Sequence, residues 1–376
     1  MEGSRRRALG IIRSEALLRD RAALDTIAEG VWLTEREAVD NEETERILTE
    51  IQSRLPVGIR DDSRLDEDGD GRLTLRIDGG TVIGILPMRG CGEDWVIAVF
   101  ATVITEEPVE GLDSGVVDAI NARVPGMLFV NTDTHAAFLG AIPGRLERLD
   151  GSWADLVGAV ALENHARGRS FAGELAGVTE DDDPVVRYWK AEHAVADGGD
   201  PVAGHDELTE AMRRYVDGTP AETRPLLRVR ERREATHLDL PYPRRNGADR
   251  LVLSGRYIDS DSGLDWAPAG YHYFHEMPEE MARDEALRRC ESLNGMGPEI
   301  SERNQVTTPW LLGSWQTTPG ENGWRILYHG YVPTTLRERI DLVHVTAGIV
   351  REVWQGRRKM EALVEFERTF RTKEEQ

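Results

Sequence analysis

Lysine is almost missing from this chain. Of 376 residues only Lys190, Lys359 and Lys373 are lysine, so the basic charge rests on arginine. That bias reads as GC-rich coding, a property of a genome of the actinobacterial kind, and it strips isolated runs such as Arg5, Arg6 and Arg7 of weight as signals. Basic charge is also short overall, with 46 Lys and Arg against 68 Asp and Glu and a net charge of −22. This balance opposes nucleic acid, where cations must replace counterions along the phosphates, and opposes anionic membrane surfaces. It fits a protein or peptide partner, with a basic one favoured. The two cysteines, Cys91 and Cys290, make neither a disulfide framework nor a zinc site. No apolar run approaches the roughly 18 residues of a membrane span, and Arg13, Glu15, Arg19 and Asp20 interrupt the start as no signal peptide would. A cytoplasmic location is the expectation. Walker loops, Gly-x-Gly-x-x-Gly and the Gly-x-Ser-x-Gly elbow are missing too, Ser254 and Ser314 included. No catalytic residue, cofactor or metal is expected.

What is present is alternating secondary structure. Helical spacing marks residues 5–29 and a second helix from Thr34 that runs through Ile47, Leu48 and Ile51 until Pro56 ends it. Strands follow at 72–77, 81–86 and 94–104, the third apolar on both faces and therefore central. A helix at 113–124, strands at 127–131 and 135–142, and a helix from Ser152 complete an order α-β-β-β-α-β-β-α. A linker with a short helix is expected over 178–204. The second half repeats the order: a helix ending at Gly218, Arg-rich strands within 226–239, strands at 250–258 and 271–276, a helix at 279–293, strands at 310–315 and 324–332, and a long helix from Arg337. Residues 138–143 (Phe-Leu-Gly-Ala-Ile-Pro) match 328–333 (Tyr-His-Gly-Tyr-Val-Pro), and each precedes a helix with Asp-Leu-Val, at Asp155 and Asp341. Gly126-Met127 and Gly295-Met296 each follow the middle helix. The expected fold class is thus α+β: an N-terminal helical extension (1–39), a first domain (40–177), the linker (178–204) and a second domain (205–376) that pairs with the first as an intrachain pseudo-dimer, a homodimer being open as well.

Leu293-Asn294 at the end of one middle helix, Asn121 near the equivalent place in the other, the Gly-x-Ile/Val-Pro strand ends and the closing helix with Asp-Leu-Val resemble the type III secretion chaperones and the YbjN-type sensory transduction regulator domains. The resemblance spans about 40–175 and, more loosely, 205–355; the first middle helix departs from it by ending Arg-Val-Pro-Gly. It implies a dimer or pseudo-dimer that binds an extended segment of a client protein, with no metal, cofactor or catalytic residue. A tandem form resembles the chaperone-like accessory proteins of actinobacterial modification or defence systems, so a permanent structural subunit of a larger complex is the alternative.

Several clusters invite chemistry. Asp66, Asp68 and Asp70 mimic the start of a calcium loop, but the closing acid position falls on Ile77, so a polar hairpin turn is the better account. His272 and His275 lie in an aromatic strand whose alternation puts them on opposite faces; an unrecognised catalytic site there is the third alternative. Cys91 lies in a turn with no base in view. Trp95 and Phe100 in the first half, and Trp310, Trp315, Trp324 and Tyr328 in the second, are the candidates for partner contact, with core packing as the competing account.

Overall fold

The computed structural model describes residues 41–67, 73–77, 80–87, 95–105, 111–124, 126–131, 136–145, 151–176, 201–219, 221, 224–232, 235–244, 247–258, 269–295, 313–333 and 342–374. The expected N-terminal helix at 5–29, residues 178–200 of the linker with its short helix, Asp68, Asp70, Cys91 and Trp310 lie outside them; the linker's last residues, 201–204, are not linker but the first turn of a helix, Pro201–Asp217.

Helix α1 (Asn41–Arg54) forms because Ile47, Leu48 and Ile51 recur on one buried stripe, with Glu42 and Glu43 at its positive end and Arg54 at its negative end. Pro56 cannot continue it, and a single further turn, α2 (Val57–Arg60), follows. Four strands come next: β1 (Arg64–Glu67), β2 (Leu73–Ile77), β3 (Thr81–Pro87) and β4 (Trp95–Thr105). Helix α3 (Ser114–Arg123) is capped by Asp113, whose carboxylate accepts from the Val116 N–H at 3.0 Å. Strands β5 (Leu128–Asn131) and β6 (Ala136–Arg145) and helix α4 (Gly151–Ala176) complete the first half.

The second half is α5 (Pro201–Asp217), a 3₁₀ turn (Arg224–Leu226), β7 (Arg228–Arg232), β8 (Ala235–Arg244), β9 (Gly247–Ile258), β10 (Gly270–Glu276), α6 (Arg283–Gly295), β11 (Gly313–Pro319), β12 (Trp324–Pro333) and α7 (Leu342–Glu374). The chain is therefore α+β, with two antiparallel six-stranded sheets. Their strand orders are the same: β1-β2-β3-β4-β6-β5 and β7-β8-β9-β10-β12-β11. The matched segments 138–143 and 328–333 fall on β6 and β12, which hold the same place in the two sheets.

One correction concerns strand number. Each half has four strands before its middle helix, and the first half's β1 was absent from the expected order. β1 is short, polar and half solvated, and it lies at the sheet edge, so it carries no apolar alternation to read. β4, by contrast, lies between β3 and β6, and Val96, Ile97, Ala98, Val99 and Phe100 are all buried, as a strand covered on both faces requires.

Helices α1 and α4 cover one face of the first sheet, and α5 and α7 cover one face of the second. One contiguous cluster of buried apolar side chains includes residues of both sheets. The halves also meet directly. Helix α3 packs against β11 and α6, and the Asp118 carboxylate accepts from the Thr317 N–H at 2.9 Å and from its hydroxyl at 2.6 Å. Gly126 adopts φ +87°, and a Cβ there would lie 3.2 Å from Tyr331 of the other half, so both the turn and the close approach call for glycine.

Candidate functional site

Burial sorts the expected partner residues. Phe100, Trp315 and Tyr328 are at most 1% exposed. Phe100 fills the space over Gly140 beneath α4. Trp315 donates its indole N–H to Glu352 at 3.3 Å and packs 5.2 Å from the Tyr328 ring. While the fold is intact these three offer a partner no surface; they are core. Trp324 is half-buried beneath the Arg283 guanidinium, 4.9 Å from its ring centroid. Trp95 opens β4, but its side chain is outside the described set. Sequence reading thus gathers an aromatic-rich sheet without telling its inner from its outer face.

The asparagines behave as one motif. Asn121 accepts from the Phe129 N–H of β5 at 2.8 Å. Asn294 accepts from the Trp315 N–H of β11 at 2.8 Å and donates to its carbonyl at 2.7 Å. In each half the middle helix is stapled to the edge strand that follows it.

The histidines lie on opposite faces of β10. His275 shares the helix-covered side with Trp315 and bonds the Val252 carbonyl through Nδ1 at 3.1 Å. His272 faces the first half, with Nδ1 2.9 Å from Nε2 of His329 and its ring 4.8 Å from that of Tyr331. The Arg167 guanidinium of α4 lies 4.6 Å from the Tyr331 ring centroid. Burial is the main reason all three imidazoles resist protonation: His275 is pushed down to about 4, His329 to about 3, and His272 well below its ordinary value. Arg167 adds to the effect at His329 and at His272, where His329 contributes first. Nε2 of His272 and of His275 has no hydrogen-bond partner among the described residues. Buried imidazoles held neutral are poor proton shuttles.

Other chemical candidates are occupied. Asp66 binds Arg76 at 2.6 Å, which suits a hairpin. Cys290 is buried, and burial and then Asp118 hold its thiol well above the usual range, away from the reactive thiolate. Ser254 lies 2.9 Å from Nδ1 of His237, but Asp239, which could orient such a base, is held by Arg230 at 2.5 Å and Arg250 at 3.5 Å. No group of three or more metal-ligating side chains occurs among the described residues, and none of their helices is long and apolar enough to cross a membrane.

The feature that remains is a groove between α5 and α7. Its floor is Leu240 and Pro241 of β8; its walls are Tyr215, Thr219 and Leu227 on one side and Ala347, Val350 and Trp354 on the other, around about 310 Å³. Trp354 is half-buried and meets the Tyr242 ring edge-on at 5.6 Å; the Tyr242 hydroxyl in turn donates to Glu361 at 3.0 Å. In the sequence, Ala347, Val350 and Trp354 recur at helical spacing on the last helix, a stripe that reads first as packing on the sheet. No protein-family model matches the chain, and no curated protein or solved structure matches it.

Proposed function

We propose that the chain is a non-catalytic, chaperone-like adaptor that holds a segment of a client protein, as the secretion-chaperone and YbjN-type resemblance implies. The groove between α5 and α7 carries this reading. It is open, walled by apolar and aromatic side chains, and small: about 310 Å³ is at the low end of the roughly 300–1,000 Å³ of small-molecule sites. Such a space suits one or two large apolar side chains of a protein segment. Six of the eight side chains are carried on two helices and a strand, with Thr219 and Leu227 on the connection from α5 to β7, so most of the groove is preorganised. The equal strand orders support two tandem domains of one ancestry, with the second domain supplying the groove. His272, His275 and His329 are far better placed to pack than to react, which favours binding over catalysis.

The test is co-purification. The tagged chain is expected to retain one near-stoichiometric partner from its own organism. Ala347→Glu, which places a charge on a half-buried wall position, is expected to cut that recovery about tenfold, some 1.4 kcal/mol, with an unchanged circular dichroism spectrum. A folded variant that retains its partner fully contradicts the groove.

A further inference from the structure

The opposite face of the second sheet carries a feature that the groove does not use. A single row crosses that sheet: Arg230 pairs with His237, His237 with Ser254, Ser254 with Phe274, and Phe274 with His329. By strand alternation Arg228 and Arg232 share this face with Arg230, and Arg256 lies beside Phe274 with its guanidinium 5.9 Å from the ring centroid. Arg228, Arg230, Arg232, Arg250 and Arg256 are all exposed. The acids on the face are Asp239, which pairs with Arg230 and Arg250, and Glu276 of β10, which pairs with Arg325. Among the described residues Arg228, Arg232 and Arg256 form no ion pair. That the guanidinium groups converge is also felt at His237, held below its ordinary value first by burial and then by Arg232, Arg230 and Arg256. The end of the face nearer β12 is different, because His272, His329 and Tyr331 are buried there.

A charged edge strand alone would be explained as protection against edge-to-edge aggregation. Arg250 and Arg256 lie on β9, two strands in from the edge, where that explanation does not reach. Five exposed arginines on one face of a chain of net charge −22 are a local reversal of sign. Strand β7 pairs only with β8, so its other edge is free among the described residues.

We propose that this face binds an acidic, extended segment of a partner protein, which adds as a strand to the free edge of β7 and turns its carboxylates toward Arg228 and Arg232, with Arg250 and Arg256 of β9 extending the positive field behind them. Strand addition supplies main-chain hydrogen bonds. Side chains on one face of an added strand recur every second residue, about 6.6–6.8 Å, the spacing at which Arg228, Arg230 and Arg232 recur, and charge-assisted guanidinium–carboxylate bonds supply the selectivity. Single-stranded nucleic acid is the weaker fit: successive bases need several aromatic platforms, and this face offers Phe274, already covered by Arg256. The surface lies across the sheet from the groove, so each can fail without the other.

The test is fluorescence anisotropy on the full chain, with three labelled probes: a decapeptide alternating Glu and Thr, its Lys–Thr counterpart and an oligouridylate of equal length. The Glu–Thr probe is expected to bind, the Lys–Thr probe not, and binding to weaken as salt rises. Arg232→Glu, and independently Arg228→Glu, both exposed on β7, are expected to weaken it about tenfold or more, whereas Ala347→Glu leaves it unchanged. Methylating alternate amide nitrogens of the probe is expected to abolish it. Equal binding of the two peptides, full binding by the reversed variants, or full binding of the methylated probe overturns the proposal. Binding of the oligouridylate in preference to the Glu–Thr probe overturns it in favour of nucleic acid.

Discussion

Trp315 is held on three sides: its indole bonds Glu352, its backbone bonds Asn294, and Gly356 comes so close that a Cβ there would be 1.9 Å from the indole ring. Trp315→Ala is therefore expected to cost about 3–5 kcal/mol of stability, measured by urea unfolding. A loss below about 1 kcal/mol would mean the indole is not core. The histidines give a pH dependence. His275 titrates at about 4 in the folded chain against about 6.5 when unfolded. Between those values the unfolded chain binds a proton that the folded site refuses, so stability is full above pH 6.5 and falls as the pH drops toward 4. For His275 alone the loss is roughly 3 kcal/mol, and His272 and His329 act in the same direction. Glu352, raised by burial, has the opposite sign, losing stability as pH rises through its folded value. Unfolding free energies at pH 7 and pH 5 test this: the wild type should lose stability at pH 5, and His275→Gln should lose less. A wild type equally stable at both would show that the imidazoles are not buried as described.

At the scale of elements, periodicity was a good guide wherever burial was one-sided or complete. The stripe of α1 and the doubly apolar β4 were legible because each side chain's environment repeats with the backbone period. Asn121 and Asn294 stood out in sequence, and the structure supplies the reason, since each ties a helix to the backbone of the next strand. Legibility failed at one edge. β1 is polar on most positions, and an edge strand needs no apolar face; β7, equally polar, falls within the expected Arg-rich strands at 226–239. It failed again for the aromatic residues, because a tryptophan in a strand looks the same whether it faces a helix or solvent. Trp354 lies in the groove and Trp315 lies in the core, a difference fixed by which way α7 rolls over the sheet and invisible to local spacing. The groove itself is non-local: Tyr215, Leu240 and Trp354 meet only through the packing of α5, β8 and α7.

At the scale of the molecule, the two halves share a strand order and are joined by α3, β11 and α6. Asp118 is the most specific link, its carboxylate buried against Thr317. Asp118→Ala leaves the Thr317 N–H without its acceptor, a cost of about 1–3 kcal/mol. If the halves are bound as one cooperative body, a single unfolding transition should persist at a lower midpoint; splitting into two transitions would mean that this link is what couples them. The adaptor account makes its most direct claim about the second half alone. Amide hydrogen exchange of the free chain and of the purified complex tests it. Slowed exchange at the C-terminal turns of α5, at Leu240 and along α7 from Ala347 to Trp354 is the result expected of a client in the groove; unchanged exchange there, with protection elsewhere, would contradict it.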